Sequence, residues 1–320
     1  MKKVILDLDT GVDDALALAY ALASPELELI GVTGTYGNVL VDTGVRNALA
    51  ILELFGRTDV PVYAGITHAS TKDSFEVLPV SEFIHGKNGV GEAVIPDAQR
   101  QVEETSAVDF LIESVREHGD DLVIVPTGPS TTIAAAIEQD RSFAENAHII
   151  MMGGALTVPG NVSPVAEANV NQDPAATDAL FRTAKDVTMI GLDVTLQTLL
   201  TYEETKTWHD LGTVGGDFLG VATDYYIKSY ETNSPHLGGC GLHDPLAVAV
   251  AVDPTLVETL DINLKVETEG QLHGRVIADE TRINDPVKTA HVAVKVDVER
   301  FLKEFMTRLT GLAKNTAARA

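Results

Sequence analysis

The densest chemistry in the chain lies in Asp7-Leu8-Asp9-Thr10-Gly11-Val12-Asp13-Asp14. Asp9, Asp13 and Asp14 converge there, and three carboxylates so close repel one another. A bound hard cation is the usual remedy, and carboxylate oxygens suit Ca²⁺ or Mg²⁺. The plainer alternative is that Asp13 or Asp14 caps a helix. An EF-hand is excluded, because Gly11 stands at a ligand position and no Glu follows at the twelfth. Asp7, on the same strand face as Asp9, reads as a buried structural partner. Further along come Gly37-Asn38 and the turn Pro126-Thr127-Gly128-Pro129, which can aim a backbone carbonyl. Then come Gly153-Gly154, Asn161, Glu167 and Asn169, whose donors and acceptors suit sugar hydroxyls. His243-Asp244-Pro245 sets a carboxylate beside an imidazole. On local grounds Asp244 reads as a helix cap, as do Asp173, Asp253 and Asp285, each also followed by proline.

These residues need a frame that gathers them, and the pattern supplies one. Short apolar runs alternate with helical periodicity, which predicts βα units around a parallel sheet. Strands are expected at 4–9, 27–36, 62–64, 122–125, 149–152 and 187–190. Helices are expected at 13–23, 41–55, 105–118 and 130–137, the second with apolar residues at three- and four-residue spacing. Toward the C-terminus the reading is helices at 217–231, 244–252 and 300–312, a β-hairpin of 262–267 with 275–278, and a strand at 292–296. The fold class is therefore α/β: an open, mostly parallel Rossmann-like sheet with helices on both faces, plus a C-terminal helical and β-hairpin region. A single domain over 1–320 is expected, with 66–104 as a long, weakly periodic loop. In such sheets ligands bind at the carboxyl ends of strands, where Asp9 falls.

Composition narrows the partners. The 320 residues hold 23 Lys and Arg against 47 Asp and Glu, a formal charge of −24. That argues against nucleic acid, which needs a basic footprint, and against an anionic membrane surface. One cysteine, Cys240, precludes an internal disulfide, and no secretory apolar run follows Met1. A cytoplasmic protein is expected.

Together the motifs resemble the nucleoside hydrolases, the inosine–uridine-preferring N-ribohydrolases. The resemblance runs through residues 7–15, Gly37-Asn38-Val39, His85-Gly86 with Gly89, Thr127-Gly128-Pro129 and Met152-Gly153-Gly154. It continues in residues 160–164, Ala166-Glu167-Ala168-Asn169, Asp173-Pro174-Ala175-Ala176 and His243-Asp244-Pro245-Leu246-Ala247, in the family's order. It implies Ca²⁺-dependent cleavage of the N-glycosidic bond of ribonucleosides. It implies a Ca²⁺ site of Asp9, Asp14, Asp244 and the Thr127 carbonyl, with Asp9 also the general base toward water. Asp13 would hold the ribose 2′-hydroxyl and Asn169 the 3′-hydroxyl. Asn161 and Glu167 would hold the 5′-hydroxyl, and Asn38 would assist at the ribose. His243 would protonate or orient the leaving base, with His85 nearby. A homodimer or homotetramer is also implied.

This sequence departs from the family pattern in two places. Thr10 stands where many members have Pro, and Ala168 where several have an aromatic residue, which removes one wall of a base pocket. Trp208, Tyr225, Tyr226 and Tyr230 are read as packing residues outside the site. Two other readings compete. A haloacid-dehalogenase-like phosphatase shares the Asp-x-Asp start but lacks its later lysine and acidic pair here. A non-catalytic nucleoside- or ribose-binding protein would have no need of Asp9.

Overall fold

Alternating strand residues dictate a sheet buried on both faces. In the first strand Ile5 faces one apolar cluster, while Val4, Leu6 and Leu8 face another. The computed structural model describes residues 1–319 and shows how the rest follows. In chain order the strands are β1 (Lys2–Leu8), β2 (Leu27–Gly34), β3 (Val62–Ala64), β4 (Leu122–Pro126), β5 (His148–Met152) and β6 (Val187–Ile190). They continue as β7 (Leu199–Leu200), β8 (Cys240–Gly241), β9 (Val257–Ile262), β10 (Leu264–Glu267), β11 (Arg275–Ala278) and β12 (Ala290–Val296). The helices are α1 (Val12–Leu22), α2 (Val41–Leu54), α3 (Pro79–His85), α4 (Ala107–His118), α5 (Thr131–Gln139), α6 (Arg141–Asn146) and α7 (Ala168–Gln172). They continue as α8 (Pro174–Thr183), α9 (Leu192–Thr195), α10 (Tyr202–His209), α11 (Val214–Asn233), α12 (His243–Val252) and α13 (Val298–Lys314).

The central sheet has eight strands in the order β3-β2-β1-β4-β5-β6-β12-β9. All neighbours are parallel except β12 and β9, which run antiparallel at one edge. This is the mostly parallel α/β sheet the pattern predicted. One face packs against α1, α12 and α13, where Tyr20, Phe301, Phe305 and Trp208 are fully buried. The other packs against α4, α5 and α8. The β10–β11 hairpin pairs antiparallel as expected but starts at Leu264, because Ile262 belongs to the edge strand β9. The expected loop 66–104 contains α3, whose residues are mostly solvent- or cavity-facing and so carry no buried stripe. The short α6, α7, α9 and α10 were also not expected, and of α8 only the start was, from the Asp173-Pro174 cap. No helix among the described residues is long and apolar enough to cross a membrane.

Candidate active site

Parallel pairing brings the strand ends together. In the β1–β4 register Asp7 lies opposite Pro126, so Asp9 emerges beside the Thr127-Gly128 turn, where a Cβ on Gly128 would fall 3.0 Å from the Asp9 Cβ. The β1–α1 turn then sends Asp13 and Asp14 into the first turn of α1, where the helix N-terminus favours negative charge. Across from them α12 starts at His243 and places Asp244 against the same point. One ligand oxygen from each of Asp13, Asp14 and Asp244 lies within 4.8 Å of the others, and all three side chains are buried. Above them is a cavity of about 610 Å³, lined also by Asn38, His85, Thr127, Asn161, Glu167 and Asn169. Every expected site residue except Asp9 and Asp14 lines that cavity; those two lie beneath its floor, fully buried.

The hydrogen bonds show how each group is held. Asp14 Oδ2 accepts the Gly11 N–H at 2.8 Å, and its Oδ1 accepts the Thr127 hydroxyl at 2.7 Å. Asp9 accepts the Asn38 N–H at 2.7 Å and Asn38 Nδ2 at 3.2 Å. A Cβ on Gly37, whose φ is +155°, would fall 2.0 Å from Asp9 Oδ2, so only glycine lets this turn approach the carboxylate. Asp13 Oδ2 accepts the Tyr226 hydroxyl at 3.1 Å, while its Oδ1 is buried with no hydrogen-bond partner. Asn169 Nδ2 donates to the Thr127 carbonyl at 2.6 Å. The tightest acidic triad thus contains Asp13 in place of Asp9, which the Asn38 donors hold to one side.

Burial and crowding dominate the electrostatics. Asp9 is held well above the usual carboxylate range by burial and then by the charges of Asp14 and Asp13. Asp13 rises to about 7 by burial and the Asp14 charge, against the Tyr226 hydrogen bond. Asp244 rises through burial and then the charges of Asp13, Asp14 and Asp9. A divalent cation is the group that removes this penalty. The buried, oxygen-only donor set fits a hard one.

Of the four Asp-Pro pairs, two cap a helix: Asp173 accepts from the Ala176 N–H at the start of α8, and Asp253 from Thr255 at a short 3-10 turn. Asp285 begins no helix and only accepts the Val287 N–H within a turn, so the capping expectation is corrected there. Asp244 makes no such bond and belongs to the acidic triad instead, so the local capping expectation is corrected there. Asp7 is buried as expected and accepts the Thr33 hydroxyl at 2.6 Å.

At the other end of the cavity Glu167 caps α7. It accepts the N–H groups of Asn169 at 2.9 Å, Val170 at 3.2 Å and Gly154 at 2.8 Å. Burial still raises its pKa. Asn161 sits exposed on the loop above, its Oδ1 accepting the Ala168 N–H at 3.0 Å. His85 Nδ1 accepts the Val12 N–H at 3.1 Å, and burial lowers its pKa to about 3. The ring is therefore neutral.

Two residues read as packing prove to line the cavity. Tyr226 and Tyr230 of α11 form a chain with His243. The Tyr226 and Tyr230 hydroxyls are 3.4 Å apart, and the Tyr230 hydroxyl lies 2.7 Å from His243 Nε2. His243 Nδ1 lies 2.7 Å from Thr195 Oγ1. Burial lowers the His243 pKa to about 4, so this ring is also neutral. Their four-residue spacing marked them as one helical face, and the face points into the cavity. Trp208 is fully buried against Phe305, as expected of a core residue.

Comparisons with known proteins add the family context. A family model described as inosine-uridine preferring nucleoside hydrolase matches residues 4–303. A solved structure described as a purine-preferring ribonucleoside hydrolase from Gardnerella vaginalis is 66% identical, with a TM-score of 0.97. The match covers 98% of this chain and 99% of that one. A probable uridine nucleosidase 2 of Arabidopsis thaliana is 35% identical, covering 96% of this chain and 97% of its own. A pyrimidine-specific ribonucleoside hydrolase, RihA, of Shigella boydii is 32% identical over the same shares.

Proposed function

The chain belongs to the inosine-uridine preferring nucleoside hydrolase family and is a hydrolase of N-glycosyl bonds; from that premise we propose that it cleaves ribonucleosides to free base and ribose, with Ca²⁺ as cofactor and purine nucleosides preferred. One observation carries the reading. A buried cluster of aspartates floors a cavity whose other wall is a tyrosine–histidine chain. The purine preference is supported by the 66% identity to the Gardnerella vaginalis protein and by the small Ala168 in the cavity wall.

Breaking an N-glycosidic bond passes through an oxocarbenium-like state, so the site must serve water on one face and the departing base on another. Asp14 and Asp244, with the Thr127 carbonyl and Asp9, are the proposed cation ligands. Asp9 is in side-chain contact with Asp14, which supports its inclusion. A hard cation held there would acidify water and offset the crowded carboxylates. Asp9, with its raised proton affinity, takes the proton from water. Asp13, with a free oxygen, binds the ribose 2′-hydroxyl, and Asn169 the 3′-hydroxyl, with Asn38 beside them. Asn161 and Glu167 take the 5′-hydroxyl. Holding three hydroxyls lets remote binding energy favour the transition state.

On the base side Tyr226 donates to Asp13, which frees the Tyr230 hydroxyl to give its proton to the departing base. Neutral His243, whose Nδ1 accepts from the Thr195 hydroxyl, keeps its proton on Nε2 and donates it as a hydrogen bond that steadies the Tyr230 oxygen. That oxygen regains its proton from solvent as the products leave, while Asp9 releases the one it took from water. His85 stands beside Tyr226 as part of the base wall, their ring centroids 5.3 Å apart. A homodimer or homotetramer in the cytoplasm is the proposed setting.

The test is a panel of purine and pyrimidine ribonucleosides assayed for free ribose with added Ca²⁺. Purine nucleosides are expected to turn over fastest. Absence of turnover on every one, with Ca²⁺ binding confirmed calorimetrically, refutes the hydrolase reading. Ca²⁺ is expected to raise the thermal midpoint of the wild type and of Asp13→Asn, but not of Asp14→Asn or Asp244→Asn. A wild type indifferent to Ca²⁺ refutes the cofactor.

A further inference from the structure

Residues 153–167 connect β5 to α7 and carry both proposed 5′-hydroxyl ligands, yet contain no helix or strand of their own. A surface connection of that kind moves unless it is tied. Its ties come from far along the chain. Asp193 of α9 accepts the N–H of Leu156 at 3.0 Å and both the N–H and hydroxyl of Thr157, at 2.7 and 2.6 Å. Arg275 of β11 donates from Nη2 to the Leu156 carbonyl at 2.7 Å. Its Nη1 reaches the Val158 carbonyl at 3.1 Å and the Val165 carbonyl at 3.5 Å.

One planar guanidinium thus joins the outgoing limb of the loop to its returning limb. A fork of donors with fixed geometry is suited to that task, and a single ammonium is not. Beyond the tie the tip closes on itself. Ser163 Oγ accepts the Val165 and Ala166 N–H groups, and a Cβ on Gly160 would fall 2.0 Å from the Ala166 carbonyl oxygen. Arg275 itself does not line the cavity. It sits on the β10–β11 hairpin, outside the central sheet, and that hairpin is anchored separately by the Val266 N–H to Asp178 at 2.8 Å.

We propose that Arg275 is a positioning residue for recognition of the ribose 5′-hydroxyl, acting through the loop that carries Asn161 and Glu167. The inference rests on the 5′-hydroxyl assignment made above. It also gives the C-terminal hairpin a task in catalysis without a contact to substrate.

The test compares a ribonucleoside with its 5′-deoxy counterpart on the full-length wild type, Arg275→Ala and Arg275→Lys. Loss of a hydrogen-bonded hydroxyl is expected to cost the wild type about ten- to a hundredfold in kcat/KM. In Arg275→Ala the ribonucleoside falls by roughly tenfold and the 5′-deoxy substrate by less than about twofold, so discrimination shrinks. Arg275→Lys, which keeps charge and stem but not the fork, falls between and carries the comparison should the alanine variant not fold. A parallel fall on both substrates, or no change on either, overturns the proposal. A wild type without discrimination overturns it together with the 5′-hydroxyl assignment. If the wild type turns over no ribonucleoside, the hydrolase reading has failed, and amide hydrogen exchange then decides the tie alone. Faster exchange at 155–166 in the variants, with β1 and β4 unchanged, supports it, and unchanged exchange there overturns it.

Discussion

Replacing Tyr230 by Phe isolates the base side of the reaction from the carboxylate side. The ring keeps its edge-to-face packing on Tyr226, with centroids 5.0 Å apart, so the cavity wall stays in place. Only the hydroxyl between Tyr226 and His243 Nε2 is lost. The structural consequence is one buried imidazole nitrogen without its partner, a cost of about 1–3 kcal/mol in stability. The catalytic consequence is larger if this hydroxyl protonates the leaving base. General-acid catalysis contributes roughly 10²–10⁴ in rate, and its lower end alone is about 2.7 kcal/mol of barrier.

The assay compares two substrates that share the ribose. A natural ribonucleoside needs a proton on its departing base, whereas the nitrophenolate of p-nitrophenyl riboside leaves without one. Tyr230→Phe is expected to lower kcat on the nucleoside by at least about a hundredfold and on the nitrophenyl riboside by less than about tenfold. His243→Ala is expected to follow the same split, and the double variant to lose little more than either alone, because the two act as one unit. Equal losses on both substrates would show that the hydroxyl only shapes the cavity. Additive losses in the double variant would separate Tyr230 from His243.

The cavity lining contains five carboxylate or imidazole groups but no Lys or Arg. A 5′-monophosphate would enter beside buried Glu167 with no Lys or Arg to meet it, and like charges so placed cost several kcal/mol. Its kcat/KM is expected to be about a thousandfold or more below that of the nucleoside, and turnover within tenfold contradicts the charge argument. His148 donates to Asp186 at 2.5 Å and lies 3.3 Å from Asp120. The Asp186 hydrogen bond raises its pKa above the ordinary 6.5. Its protonated form therefore stabilises the fold below about pH 6.5, and that contribution disappears as pH rises through the folded value. The thermal midpoint gap between wild type and His148→Gln should be wider at pH 5.5 than at pH 9; a constant gap contradicts the assignment. Trp208 is fully buried, its Nε1 donating to Thr310 at 3.2 Å. Trp208→Ala is expected to cost about 3–5 kcal/mol, read as a lower urea midpoint at unchanged slope.

The frame was legible because its strands are buried on both faces. Such strands read as unbroken apolar runs, as in Leu122–Pro126, and helices such as α2 and α4 carry a stripe that meets the sheet. Where an element faces solvent or the cavity instead, that signal vanishes. In α3 only Ser81 and His85 are buried, while Val80 and Phe83 stand about half exposed, so apolar content misleads there. In α10 only Thr205 and Trp208 are buried. Its start was nonetheless marked by Thr201 and Glu204, whose side chains form a reciprocal capping box.

The site divides along the same line. Asp9, Asp13 and Asp14 announce themselves because four carboxylates in eight residues need an explanation on any fold. Tyr226 does not, because its role depends on Asp13, 213 residues away. Spacing of i and i+4 says that two rings share a helical face but not what the face meets. Asp244 is the sharper case. Its local pattern is identical to that of Asp173, and both begin a helix. What separates them is the company each keeps. Asp173 meets only neutral donors, from Ser70, Thr131 and Ala176, which satisfy its charge in place. Asp244 meets two more aspartates and no such donors. A carboxylate so placed gains nothing as a cap and costs the fold its desolvation, which is the physical reason to assign it to a cation rather than to a helix end.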